Sequence, residues 1–141
     1  MSVPARISLV TLGVTDLTRS RAFYDALGWE RVGDDPGVAF FRTRGAALSL
    51  YPLTALAEDA HLSPERYGFS GTSLALNLAT EAEVDAALAH AASIGATILQ
   101  PAEHVFWGGY RGYFADPDGY AWEVAYNPHW PLDADGLPQL R

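Results

Sequence analysis

The sequence predicts an α+β fold made of two tandem βαβββ modules that enclose a concave cleft. The order of one strand, one helix and three strands occurs twice, and a helix N-cap residue stands at the same point of each repeat. The ends of the two repeats also align, because matching Phe40 with Phe114 brings Ser49 opposite Glu123. Each helix buries one face of its own sheet, so the remaining faces are expected to line the cleft.

The composition is that of one globular domain covering residues 1–141. Of its residues, 49% are hydrophobic and 18% are charged, as expected for a chain that buries a core of its own. The absence of cysteine excludes disulfides, thiolate nucleophiles and cysteine-ligated metals. The formal charge of −8 repels phosphate backbones and favours cationic small molecules, so no nucleic-acid partner is expected.

The apolar segment near the N-terminus is predicted to be a strand and not a signal peptide. It covers only Ile7 to Val14, ends before Asp16, and is followed by no small-residue cleavage pattern. No segment has the length needed to cross a bilayer. We therefore expect a cytoplasmic protein with no membrane partner.

The first module is predicted over residues 7–52. Asp16 is its helix N-cap and Gly28 ends the helix. Strands are predicted at residues 7–14, 29–32, 38–43 and 46–51. A connector follows at 53–71, with a short helix over 55–59.

The second module is predicted over residues 72–127 and is followed by a tail at 128–141. Thr80 and Glu83 form a capping box for a helix that ends at Gly95. Strands are predicted at residues 72–78, 96–99, 110–115 and 120–126. Asp116-Pro117-Asp118-Gly119 is a type I turn sequence between the last two strands.

These motifs resemble the vicinal oxygen chelate superfamily, which includes glyoxalase I, extradiol dioxygenases and bleomycin-resistance proteins. The residues that carry the resemblance are Asp16-Leu17 to Ser20, Phe23-Tyr24, Tyr113-Phe114, Asp116 to Gly119 and Trp122-Glu123. The resemblance covers residues 7–127 and implies the glyoxalase/bleomycin-resistance fold. It also implies a homodimer, because the family assembles through paired or swapped modules.

The resemblance further implies where a metal would be held, since metal-using relatives take His or Glu ligands from the first and last strand of each module. The equivalent positions here are Leu9, Ser49, Ser73 and Glu123. Only Glu123 matches the ligand pattern, and one carboxylate does not hold a divalent ion tightly. We therefore expect no metal and no other cofactor. His61, His90, His104 and His129 show no paired ligand spacing and are expected to make solvent or local contacts.

Glu123 is the leading site candidate, because strand alternation points it away from Trp122 and Val124 and into the cleft. It is interpreted as a ligand-contacting group or a general base. The alternatives are a remnant of a metal site and an ion pair with Arg111. Arg111 and Tyr113 share one face of the preceding strand and bind a ligand if that face points inward.

Further candidate ligand contacts follow from strand parity and from a glycine-rich segment. Strand parity places Tyr51, Ser49, Ser73 and Asn77 on the cleft wall. The resemblance adds Leu9, which stands at a ligand position of the family. Trp107, beside two glycines, is interpreted either as part of a lid over the cleft or as a hydrophobic plug.

Two functions remain open from the sequence. One is metal-independent binding of a small organic molecule, cationic or aromatic, as in bleomycin-resistance proteins. The other is an isomerase- or lyase-type enzyme that uses Glu123 as a general base, with Tyr113 or Arg111 stabilising negative charge.

Overall fold

The structure is a computed structural model that describes residues 3–140 of the chain. It divides into two units, the first reaching Glu65 and the second beginning at Arg66. In the first unit the elements are β1 (Leu9–Val14), α1 (Leu17–Ala26), β2 (Glu30–Val32), β3 (Ala39–Arg42), β4 (Ala47–Pro52) and α2 (Leu53–Asp59). In the second they are β5 (Ser73–Asn77), α3 (Glu81–Ser93), β6 (Thr97–His104), β7 (Tyr110–Ala115) and β8 (Ala121–Tyr126).

The first unit is a four-stranded mixed sheet with the strand order β1-β4-β3-β2. Helix α1 begins where the sequence predicted, because the Asp16 carboxylate accepts a hydrogen bond of 3.0 Å from the Arg19 amide. Tyr24 on α1 packs its ring 5.7 Å from that of Phe41 on β3. Both side chains are completely buried, so α1 covers the face of the sheet that carries Phe41.

The connector helix is longer than predicted, since α2 begins at Leu53 and not at Ala55. It packs on the end of β1, where a Cβ atom added to Gly13 would lie 2.7 Å from Leu53 Cδ1. Glycine at this position therefore permits the close approach of α2 to β1. The sequence did not reveal this requirement, because Gly13 lies inside a regular strand.

The second unit repeats the arrangement with the strand order β5-β8-β7-β6. The capping box is confirmed: the Glu83 amide donates to Thr80 Oγ1, and the Glu83 carboxylate accepts from the Ala79 amide. Helix α3 covers the face of the sheet that carries Phe114 and Trp122, whose rings stack 6.2 Å apart.

Strand β6 extends to His104, five residues beyond its predicted end at Leu99. Its pairing with β7 shifts register twice, which breaks the alternation that the sequence prediction relied on. Beneath one of these shifts a Cβ added to Gly112 would lie 2.9 Å from the Gln100 carbonyl oxygen and 2.5 Å from Leu88 Cδ1. Glycine at this position permits α3 and β6 to pack closely against β7.

The predicted turn between β7 and β8 is confirmed by the hydrogen bond from the Gly119 amide to the Asp116 carbonyl, 3.0 Å long. Each unit therefore has a four-stranded mixed sheet and the βαβββ order, and the predicted α+β fold class is confirmed. Among residues 3–140, no helix is long and apolar enough to span a membrane.

Candidate functional site

The second unit brings three of the predicted site residues to one sheet face. Tyr113 on β7 lies directly opposite Glu123 on β8, and Arg111 is two residues before Tyr113. Phe114 and Trp122 alternate with these residues and point towards α3. Because successive strand side chains point to opposite faces, Arg111, Tyr113 and Glu123 lie on the face that α3 does not cover.

Tyr113 and Glu123 face each other across the β7–β8 ladder, so the carboxylate acts on the phenol through its charge and as a hydrogen-bond acceptor. Burial of the ring raises the pKa of Tyr113 above its ordinary value, and the charge and hydrogen bond of Glu123 raise it further. The nearby Arg111 guanidinium acts in the opposite direction but does not reverse the shift. Tyr113 is therefore a neutral hydrogen-bond donor at physiological pH.

This contact predicts a titration result. In Glu123→Gln the pKa of Tyr113 should fall towards its ordinary value, because the negative charge that opposes phenol ionisation has gone. Tyrosinate absorbance during an alkaline titration measures the shift, and Tyr113→Phe identifies the component that belongs to Tyr113. An unchanged titration of Tyr113 in Glu123→Gln would show that the carboxylate does not act on the phenol.

Arg111 pairs with Glu103 and not with Glu123, which corrects the ion pair considered from the sequence. Arg111 Nη1 lies 3.3 Å from Glu103 Oε1, because Glu103 on β6 stands directly opposite Arg111 in the ladder. The guanidinium carbon also lies 5.8 Å from the centre of the Tyr113 ring. Sequence reasoning missed Glu103, because the predicted strand ended before it.

Strand β5 contributes Ser73 and Asn77 to the same sheet face as Glu123. It runs parallel to β8 with Ala75 opposite Glu123, so the two polar residues lie on either side of that carboxylate along the neighbouring strand. Ser73 is exposed and Asn77 is half-buried. These positions agree with the predicted strand parity.

Trp107 lies in the hairpin loop between β6 and β7. The loop is closed by the Val105 amide, which donates to the Gly109 carbonyl oxygen over 3.0 Å. A Cβ on Gly109 would lie only 1.7 Å from Trp107 Cζ3, so the indole ring covers the Gly109 backbone. The neighbouring Phe106 is fully exposed. Trp107 thus packs on the backbone of its own hairpin loop.

In the first unit, the candidates Leu9, Ser49 and Tyr51 lie on the sheet face opposite to Phe41. Ser49 is only 2% exposed, and its hydroxyl is 2.8 Å from Thr11 Oγ1 on the neighbouring strand. Leu9 is 44% exposed at the start of β1, and Tyr51 is half-buried near the end of β4. The hydroxyl of Ser49 is thus already used in a structural contact.

These residues do not fit a divalent metal ion. Leu9 has no donor atom, Ser49 is a neutral hydroxyl bonded to Thr11, and Ser73 is a second neutral hydroxyl. Zinc, nickel and iron sites in proteins take imidazole, thiolate or carboxylate donors. Of the four residues, only Glu123 supplies such a donor. Within the described part of the chain, no three His, Cys, Asp or Glu side chains are grouped to hold a metal.

The four histidines lie at separate places in the part of the chain that the structure describes and are not grouped as metal ligands. His104 Nε2 lies 2.9 Å from Glu81 Oε1, and its ring lies 4.9 Å from that of Tyr110. His129 packs beside Gly108 in the hairpin loop. His61 has a left-handed backbone conformation after α2, with φ 57°. His90 is exposed on the last turn of α3.

The similarity to known proteins covers almost the whole chain. Residues 6–124 match the family model described as the glyoxalase/bleomycin resistance protein/dioxygenase superfamily. A glyoxalase-related enzyme from Fulvimarina pelagi is 36% identical, with 97% of this chain and 99% of that chain covered and a TM-score of 0.88.

Two further solved structures are similar at lower identity. A lactoylglutathione lyase from Agrobacterium tumefaciens is 27% identical, with coverage of 93% and 100% and a TM-score of 0.70. A family enzyme from Burkholderia phytofirmans is 20% identical, with coverage of 86% and 98% and a TM-score of 0.78, and this likeness concerns the fold alone. Among curated proteins no significant match is found.

Proposed function

Because the chain belongs to the glyoxalase/bleomycin resistance protein/dioxygenase superfamily, we propose that it binds a small organic cation without a metal ion, in the manner of a bleomycin-resistance protein. The observation that carries the proposal is the Glu123 carboxylate on the face of the second sheet that α3 does not cover. Glu123 stands opposite the neutral Tyr113, while Arg111 is paired with Glu103. Arg111 therefore does not pair with Glu123, and this carboxylate can pair with a cationic ligand.

Aromatic surface beside the carboxylate supports an aromatic ligand. The half-buried Tyr113 ring lies next to Glu123 and offers a flat apolar wall. A planar cation can stack on such a ring while its N–H groups bond to the carboxylate. The net charge of −8 attracts the same class of molecule from solution. A homodimer is part of the proposal, and sedimentation of the purified protein measures it.

Ligand binding is tested by tryptophan fluorescence during titration with small cationic aromatics and with α-keto compounds, with and without EDTA. We expect cationic aromatics to bind equally with and without chelator. Glu123→Gln should weaken their binding about 10- to 100-fold, since a hydrogen bond to a charged group contributes about 1.5–3 kcal/mol. Glu58→Gln, which removes the same charge from the exposed side of α2, is the matched control. Equal affinities in the two variants would contradict the proposal.

A second candidate function is proton transfer, and the contact between Tyr113 and Glu123 favours it. Glu123 would take a proton from carbon next to a carbonyl, and the Tyr113 hydroxyl would donate to the oxygen that becomes negative. The same titrations distinguish the two functions, because a binding protein returns its ligand unchanged. A new product that disappears in Glu123→Gln would identify an isomerase or lyase. A requirement for added nickel, zinc or iron would contradict both functions.

A further inference from the structure

Four side chains, three of them charged, form a row across three neighbouring strands of the second sheet. Glu103 on β6 faces Arg111 on β7, and Tyr113 on β7 faces Glu123 on β8. From one end to the other the row is negative, positive, neutral and negative. Arg111 is paired with Glu103 and lies near the Tyr113 ring, and Tyr113 stands opposite Glu123 in the ladder.

The Arg111 side chain is long enough to reach either of the two carboxylates in this row. Glu103 is its direct neighbour across the β6–β7 ladder, whereas Glu123 faces the residue two positions further along β7. Two strand residues span only about 7 Å, which the long arginine side chain can cover. The guanidinium already lies 5.8 Å from the ring of Tyr113, the residue that separates it from Glu123.

The preference of Arg111 for Glu103 is small in energy. The Glu103 side chain is 56% exposed and that of Arg111 is 21% exposed, and ion pairs that keep this much contact with solvent contribute about 0–1 kcal/mol. If the Glu103 charge is removed, the Arg111 guanidinium keeps only one carboxylate in this row to pair with. It would then turn across Tyr113 and neutralise Glu123.

We propose that Glu103 is a positioning residue that makes the Glu123 site selective for organic cations, by holding Arg111 away from Glu123. The inference rests on the proposed function and extends it to ligand class. With Glu103 in place, the site accepts an aromatic amidinium or ammonium ion. Without it, Arg111 pairs with Glu123, cation binding weakens, and aromatic carboxylates are repelled less.

The test compares benzamidine and benzoate by calorimetry on the full chain. Glu103→Gln should lower the benzamidine affinity about two- to fivefold, the equivalent of about 0.4–1 kcal/mol, and should lower the ratio of benzamidine to benzoate affinity at least as much. Adding Arg111→Met should restore benzamidine binding, because no cation is then left to neutralise Glu123. Arg111→Met alone should bind benzamidine at least as well as the unmodified protein.

Restoration by the second substitution separates this mechanism from a general loss of negative charge. Glu58→Gln again serves as the matched control, and thermal unfolding verifies that each variant is folded. Unchanged benzamidine affinity in Glu103→Gln would overturn the inference, as would an equal loss in the presence and absence of Arg111. Neither result touches the proposed function, which fails if benzamidine binding does not depend on Glu123 or requires an added metal ion.

Discussion

Replacing Phe41 with alanine should lower the free energy of unfolding by about 3–5 kcal/mol, the range for removing a fully buried aromatic ring. Phe41 has no exposed surface. Its ring packs against Tyr24 of α1, and the residue stands opposite Leu48 on β4. The cavity left by the substitution would lie between helix and sheet, where neither element moves easily to fill it.

Phe40→Ala is the matched control, since it removes the same ring from the adjacent residue. Phe40 points to the other face of β3, opposite Ser49, and is 38% exposed. We expect a loss of about 1–2 kcal/mol from its smaller buried area. Urea unfolding followed by circular dichroism measures both variants. Equal losses would mean that the two faces of the first sheet are buried to the same extent.

Replacing Asp116 with alanine should destabilise the protein by about 2–4 kcal/mol, because two backbone amides lose a charged acceptor. Asp116 Oδ1 accepts from the amide of Asp118 over 3.0 Å and from that of Tyr120 over 2.9 Å. Asp116 is only 5% exposed, so water does not fully replace the lost partner. These bonds hold the turn that sets β7 against β8, and with it Tyr113 against Glu123.

Asp116→Asn provides the control for this turn. The asparagine side chain keeps an acceptor oxygen but not the charge, so we expect a loss of less than about half that of alanine. Thermal unfolding of the two variants gives the comparison. A loss in Asp116→Asn as large as in Asp116→Ala would show that charge, and not the acceptor geometry, stabilises the turn.

Local features of the fold were predictable from the sequence, because they depend on residues close together in the chain. The Asp16 and Thr80 caps each bond to an amide three residues ahead, and the Asp116–Gly119 turn closes over the same span. Strand alternation likewise predicted that Glu123 points away from Trp122. Repetition of these local signals in one order is why the fold class was recognisable.

The contacts of the site were less predictable, because they depend on the register between strands. The sequence placed Arg111, Tyr113 and Glu123 on faces but not opposite particular partners. Because the predicted strand ended at Leu99, Glu103 was not recognised as a strand residue, and Arg111 was considered as a partner for Glu123. Likewise, nothing local indicates that Gly112 must be glycine, since the crowding atoms belong to Leu88, Gln100 and Ala102.

By itself the sequence therefore determined the two βαβββ repeats, the ends of their helices and the face of β8 from which Glu123 points. Only the tertiary structure decided that Tyr113 stands opposite Glu123 and that Arg111 pairs with Glu103. The physical reason is that caps, turns and alternation are set by the chain within a few residues. Ion pairs between strands depend instead on register and bulges, which the packing of the whole sheet against its helix decides.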